Sequence, residues 1–157
     1  MMAQFKAYAP KIIQYQAGEA LTAGDCVSIS GFTTVENPVP NLSITVPCPK
    51  VSKCPASAHT DFLGVVLNDA ANGEWVDVVV EGQVDAKFVA NDTLAAGDPL
   101  MMSGTAGQLT DVASSALLAD PNNVVAYASE ADDTTTAGEL SGIYIPPRRV
   151  TCAGSLI

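Results

Sequence analysis

The sequence predicts an all-β protein: a small β-barrel or sandwich built from two similar halves, with an extended N-terminal arm. Three observations carry this. The stretch LTAGDCVSI at 21–29 returns as LAAGDPLMM at 94–102. Short runs rich in Val, Ile and aromatic residues recur along the chain: CVSIS, LSITV, FLGVVL, EWVDVVVE and QVDAKFV. Such residues suit a pleated, half-buried surface. Turn clusters, ENPVPN, NDAANG and SGTAG, punctuate the runs.

The first 16 residues carry Phe5, Tyr8, Ile12, Ile13 and Tyr15 with no period of 2 or 3.6, and Pro10 breaks any helix there. They read as an arm, apolar enough to bury against something and too short to form a core. From Cys26 the pattern is β-like. The stretch PVPNLSITVPCPKVSKCPAS reads as an extended excursion or edge strand, because Pro donates nothing to a sheet ladder. In EWVDVVVE, Val76, Val78 and Val80 share one face, and Trp75, Asp77 and Val79 share the other. A lone tryptophan on a strand is expected in the core rather than as a ligand platform. SSALLADP (114–121) is the one segment with helix signals, a serine cap and Pro121 just past its end.

The repeat extends beyond its opening. LTAGD is followed by GVVLNDAANGEWVDVVV, and LAAGD by VVAYASEADDTTTAGELSGIYI. Asp69-Ala70 aligns with Glu130-Ala131, and Gly73-Glu74-Trp75 with Gly138-Glu139-Leu140. Val76, Val78 and Val80 align with Ser141, Ile143 and Ile145. Gly24 and Gly97 supply the positive φ of a tight turn. Asp25 and Asp98 bond the turn's own N–H groups. Gly73 and Gly138 close a hairpin before each outgoing strand. Neither half has enough strands to bury both faces of a sheet, so the two are expected to close one barrel together. The organisation expected is an arm at 1–16, a barrel at 17–147 with halves at 17–90 and 91–147, and a tail at 148–157.

Composition excludes several function classes. Of 157 residues, 7 are Lys or Arg and 17 are Asp or Glu, a formal charge of −10. From Cys54 to Pro147 the only basic side chain is Lys87. A body this acidic repels phosphate backbones, so no direct nucleic-acid partner is expected. No run approaches the ~18 apolar residues of a membrane span, so no membrane partner is expected. The N-terminal residues lack the apolar core of a signal peptide, which points to synthesis in the cytoplasm. The four cysteines, at 26, 48, 54 and 152, lack zinc spacing and read as free, mostly buried thiols.

Catalytic chemistry finds no constellation. The single histidine, His59 in ASAHTD, reads as a solvated loop residue, although Asp61 is near in sequence. There is no nucleophile elbow, P-loop or dinucleotide fingerprint. Acidic pairs such as Asp132-Asp133, or Asp69 with Glu74, read as solvated turns. NDAANGE and EADDTTTAGE could at most hold a weak Ca²⁺. No catalytic residues, metal or cofactor are expected.

The segments AGEALTAGDCVSI, FLGVVLNDAANGEWVDVVVEGQVD, the LAAGDPLMM…GQLT hairpin and VVAYASEAD…AGELSGIYI together resemble tailed-bacteriophage capsid decoration (cement) proteins. The resemblance spans roughly residues 17 to 145. The Pro- and Cys-bearing insert around 36–60 departs from the family's short form. The resemblance implies a structural protein without chemistry of its own. It implies a homotrimer on the outside of the virion shell that ties neighbouring major capsid protein subunits together against packaged-DNA pressure. The alternative is a phage head-fibre or tail domain, or a surface adhesive module that binds glycans.

Position and composition, rather than any family motif, nominate the docking residues. Phe5, Tyr8, Ile12, Ile13 and Tyr15 are apolar anchors, with Lys6 and Lys11 steering toward an acidic shell. Arg148 and Arg149, after Pro146-Pro147, are candidates for an inter-subunit or capsid contact. Whether the arm folds back on its own barrel or reaches a neighbour stays open at this stage. Removing residues 1–15 is expected to leave the barrel folded.

Overall fold

A computed structural model describes residues 10–36, 45–112 and 123–147. The segment 114–121, with its helix signals, lies outside them. The described residues form eleven strands and one 3-10 turn, His59–Asp61, with no α-helix among them. The strands are β1 Lys11–Ala17, β2 Cys26–Glu36, β3 Thr45–Lys53, β4 Gly64–Val66, β5 Trp75–Phe88, β6 Asp92–Leu94, β7 Pro99–Met102, β8 Leu109–Asp111, β9 Ala126–Ala128, β10 Asp132–Thr134 and β11 Glu139–Ile145.

The expected all-β barrel with two similar halves is present, and its closure is more particular than expected. β1, β3, β2, β4 and β5 pair in that order, and β5 returns to β1, giving a closed five-strand ring A. β5, β11, β9, β7 and β8 do the same, with β8 returning to β5, giving ring B. Each half therefore closes on itself instead of sharing one barrel. It can do so because β5 is 14 residues long and serves twice. Its first half is the outgoing strand of ring A, paired with β1 and β4. Its second half is the incoming strand of ring B, paired with β11.

The repeat is visible bond by bond. Thr22 N–H donates to Asp25 Oδ2 at 2.9 Å, and Ala95 N–H to Asp98 Oδ2 at 2.8 Å. Gly24 N–H donates to Val66 O, and Gly97 N–H to Ala128 O, both at 2.8 Å. Gly73 N–H donates to Ala17 O, and Gly138 N–H to Phe88 O, again both at 2.8 Å. Ala17 and Phe88 are thus equivalent, and β1 and the second half of β5 play the same part. One alignment needs correcting. Ala70 bridges Leu21 whereas Asp132 pairs with Leu94, so Ala70 corresponds to Asp132 and not to Ala131.

β5 changes partners at Gly82. Glu81 pairs with Lys11 while Gly82 pairs with Ile145. Between Ile12 and Lys11 the register slips, so Val80 has no opposite residue, the pattern of a bulge. Gly82 has φ +102°, and a Cβ there would lie 2.9 Å from Pro10 Cα. Only glycine fits this conformation beside the entering chain.

Two clusters fill the rings. Tyr15, Ala17, Leu21, Val27, Val51, Val76 and Val78 lie in ring A. Phe88, Leu100, Met102, Leu109, Ile143 and Ile145 lie in ring B. The second cluster runs on to Cys26, Phe62, Val65 and Val79, on the outer side of β2, β4 and β5. Ring B thus packs over part of ring A's exterior. Two sequence assignments shift as a result. Residues 11–16, expected in the arm, are strand β1 of ring A. The Pro-rich stretch contributes β3, which pairs with β2 from Thr45 to Lys53 and touches β1 only at Lys50 and Val51. Pro47 and Pro49 sit two apart on β3, so both ring nitrogens point to the same side, as an otherwise unpaired edge permits.

Gly82→Val is expected to destabilise the fold by about 2–4 kcal/mol, combining backbone strain with overpacking against Pro10. Gly31→Ala, where an added Cβ meets nothing within 4 Å, should change stability by no more than about 0.5 kcal/mol. Urea unfolding of the two variants checks the contrast.

Candidate functional site

The outward residues of ring A form short rows across the sheet. Ile12, Val79 and Val65 make one row. Gln14 and Asp77 make the next, joined by Leu67, whose N–H donates to Asp77 O at 2.9 Å. Gln16 and Trp75 make a third. Ring B covers Val79 and Val65 but leaves Ile12, Leu67 and Trp75 exposed at 48%, 41% and 50%. Trp75 is therefore a surface residue, against the expectation that it lies in the core. Its sequence neighbour in parity, the half-buried Asp77, was the signal that this face points out. Glu74 and Asp69, both exposed, rim the patch.

The nominated anchors separate. Ile12 and Ile13 are exposed. Tyr15 faces into ring A at 8% exposure, and burial pushes its phenol above the ordinary value. It is a core residue and offers no anchor. Lys11 opens β1 opposite Glu81. Phe5, Lys6, Tyr8, Arg148 and Arg149 lie outside the described residues. Pro10 packs on Gly82, and Ile145 pairs with Gly82. The segments preceding Pro10 and following Pro147 are therefore attached at one place, the waist between the rings.

A groove of about 470 Å³ runs between the rings, with Leu67 and Ala23 of ring A on one side and Gln83, Asp85, Glu130 and Leu140 on the other. Beside Gly24, which lines it, stands an ion pair that sequence reading did not single out. Lys87 Nζ lies 2.8 Å from Asp25 Oδ1 and also donates to Thr22 Oγ1. Asp25 is 3% exposed. The sparse signal was in plain view, since Lys87 is the only cation between Cys54 and Pro147. It locks ring A's turn onto ring B's first strand, helped by Lys87 N–H donating to Gly24 O at 2.9 Å.

Groups that might do chemistry have structural duties. His59 Nδ1 accepts the Met102 N–H at 3.2 Å, so the histidine is a tie between the 59–61 turn and β7 rather than a solvated loop residue. Glu74 Oε2 accepts from Ala71 N–H at 2.8 Å, and Glu139 Oε2 from Thr135 N–H at 2.8 Å. Asp69 Oδ1 accepts from Ala23 N–H at 2.9 Å. Among the described residues no group of three or more His, Cys, Asp or Glu side chains is placed to hold a metal ion. Burial pushes the Cys26 thiol well above its usual value, with Cys54 and Asp25 adding to the rise. Cys54 is buried too, and its thiol donates to Ala58 O at 3.4 Å. Both thiols are poor nucleophiles. Among the described residues no helix is long and apolar enough to cross a membrane.

The profile of the phage cement protein family matches residues 9–141. The chain belongs to that family. It is a phage structural protein of the virion, associated with the capsid. The head fiber gp8.5 N base of bacteriophage phi29, known from a crystal structure, shares the fold of this cement protein. The two superpose with a TM-score of 0.54 at 16% identity, covering 92% of this chain and 100% of that one. No curated protein matches the cement protein.

Lys87→Met would strand the buried Asp25 carboxylate. The expected cost is about 2–4 kcal/mol, somewhat under that of breaking a fully buried pair, because the Lys87 side chain keeps 20% of its surface in water. Asp98→Ala removes only the turn bond of the other repeat and should cost about 1 kcal/mol. Equal losses in chemical denaturation would contradict the interlocking role of Lys87.

Proposed function

We propose that this cement protein docks on the outside of the phage head as a homotrimer, after synthesis in the host cytoplasm. There it clamps neighbouring major capsid protein subunits against the pressure of packaged DNA. The observation that carries the reading is the exposed patch of Ile12, Leu67 and Trp75 on ring A. Ile12 lies next to the waist, where the segment bearing Phe5, Lys6 and Tyr8 is attached, and the patch runs from there along β1 to Trp75 opposite Gln16. An exposed tryptophan and two aliphatic side chains set around Gln14 and Asp77 offer an interface apolar anchors with polar partners between them. β1 adds a second means of attachment. It meets β3 only at Gln16 and Ala17, so among the described residues its edge from Lys11 to Tyr15 has no strand partner on that side, and a capsid strand can extend it. Many copies on one shell multiply modest contacts into firm attachment. The acidic body keeps decorated particles from associating.

Ile12, Ile13, Phe5 and Tyr8 are the anchors in this reading, with Lys6 and Lys11 as steering charges and Arg148 and Arg149 as an inter-subunit or capsid contact, and Tyr15 holds ring A together. The cut that separates docking from folding therefore falls at Pro10, since a deletion through residue 15 would strip β1 from its ring. A second reading, a base that seats a fibre on the head, draws on the fold held in common with the phi29 head fiber base. It differs in outcome: shells would be decorated without gaining resistance to heat.

A chain beginning at Pro10 is expected to keep its unfolding midpoint and to lose binding to purified heads in a co-sedimentation assay. Undiminished occupancy would remove the arm from the docking surface. As the only tryptophan, Trp75 reports on its own face. Its emission should be red-shifted and readily quenched by acrylamide in the unbound protein, then blue-shifted and protected on heads. Unchanged quenching on heads would put the contact elsewhere.

A further inference from the structure

The groove between the rings carries a charge that the described residues leave unanswered. Asp85 and Glu130 both line it, and Lys87–Asp25 is the one ion pair among the described residues. Glu130 Oε1 accepts from Gly142 N–H at 3.1 Å, which leaves its other oxygen to a ligand. The floor is bare where Gly142 pairs with Asp85, because a Cβ there would come within 2.6 Å of Ser129 Oγ. One row further along the same outer face, Tyr127 and Tyr144 stand opposite each other, exposed at 40% and 39%, with Tyr144 beside Gln83. Two carboxylates next to an exposed tyrosine pair match the demands of a guanidinium, which takes carboxylates in bidentate fashion and stacks on aromatic faces.

We infer that this groove receives Arg148 and Arg149 from a second copy of the chain. The inference rests on the self-association proposed above and names its contact. Charge restricts the choice of occupant: of the seven basic residues, the two arginines are the only adjacent pair, and Lys87 is already engaged. Geometry decides between copies. β11 passes the groove at Leu140 and Gly142 and then runs on to Ile145, so the groove lies behind the point where the tail departs. Pro146 and Pro147 fix their own φ angles and hold the preceding residues extended. They carry the chain onward by about 6 Å, at ~3.1 Å per residue. Reaching back into its own groove would demand a reversal at the stiffest point of the tail. A tail seated in the groove of the next copy is a head-to-tail contact, and such contacts close into a ring when the rotation permits.

The test uses the full chain carrying Arg148→Glu and Arg149→Glu, whose grooves have lost their partner, and a fluorescent peptide of sequence PPRRVTCAGSLI. By anisotropy the peptide should bind saturably and weaken as salt rises. Adding Asp85→Lys with Glu130→Gln, which keeps an acceptor for Gly142, should weaken binding at least about tenfold. A peptide with both arginines changed to glutamate should recover affinity for that reversed groove. No binding, or binding indifferent to the groove charges, overturns the proposal. So does a wild-type chain that sediments as a monomer at concentrations where the peptide saturates the variant, since the tail would then sit in its own groove. None of these readouts involves phage heads, so a failure to decorate shells stays distinguishable from a failure here.

Discussion

Everything in this protein hangs on one strand belonging to two rings. A strand has two hydrogen-bonding edges, so at any one position it pairs with at most two neighbours. β5 meets β1 and β4 along its first half and β11 along its second, with β8 joining at Phe88. The exchange is possible because the backbone is interrupted between Val80 and Gly82, by a bulge and then by a positive φ. Without that break, β1 would compete with β11 for the same edge. Ring A and ring B are therefore coupled covalently through β5 and cannot separate without breaking its ladder.

Much of this was legible and some was not. The doubled Gly-Asp turn was read correctly down to the aspartate–amide bonds, because a turn is a local device whose chemistry is written in four residues. The sorting of EWVDVVVE into two faces also holds: Val76 and Val78 face inward, and Trp75 and Asp77 share the outward face. Trp75 was then assigned to the core on the general habits of tryptophan, although its own parity placed it outside. Ring closure was not legible, because EWVDVVVE and QVDAKFV look like two strands on either side of a glycine. Only pairing partners far along the chain reveal that they are continuous. The same non-local cause hid β1: Tyr15 and Ala17 are too short a pattern to announce a strand until β5 and β3 are beside them. Of the nominated docking residues, Ile12 and Ile13 stand on the surface and Tyr15 does not; alternation along β1 separates Ile12 from Tyr15, whereas Ile13 shares the parity of Tyr15 and is exposed nearer the start of the strand.

The two repeats have diverged where they meet each other. Asp25 and Asp98 perform the same turn bond, yet Asp25 also takes the lysine of the shared strand. A buried carboxylate without a counter-charge is costly, so the interlock makes Asp25 and Lys87 depend on each other. Ring B's turn has no further ring to grip, and Asp98 makes the simple bond alone. The acidic character of the body follows a related logic. Glu74, Glu139, Asp69 and Asp25 all point at backbone N–H groups in turns. Part of the protein's negative charge is also what fastens its turns.

This arrangement suits the mechanical role proposed above. Force applied where the flanking segments join, at Pro10 and Ile145, reaches Gly82 first. From there it divides along β5 in both directions, into ring A through β1 and into ring B through β11. The Lys87–Asp25 pair and the core shared by Val65, Val79 and Phe88 hold the rings from hinging about the glycine. A single five-strand barrel with both segments attached at one pole would rely on its terminal strands alone. Placing the attachment at the waist of a double ring spreads the same load over two closed sheets, and it does so with one glycine at the point where β5 passes from ring A to ring B.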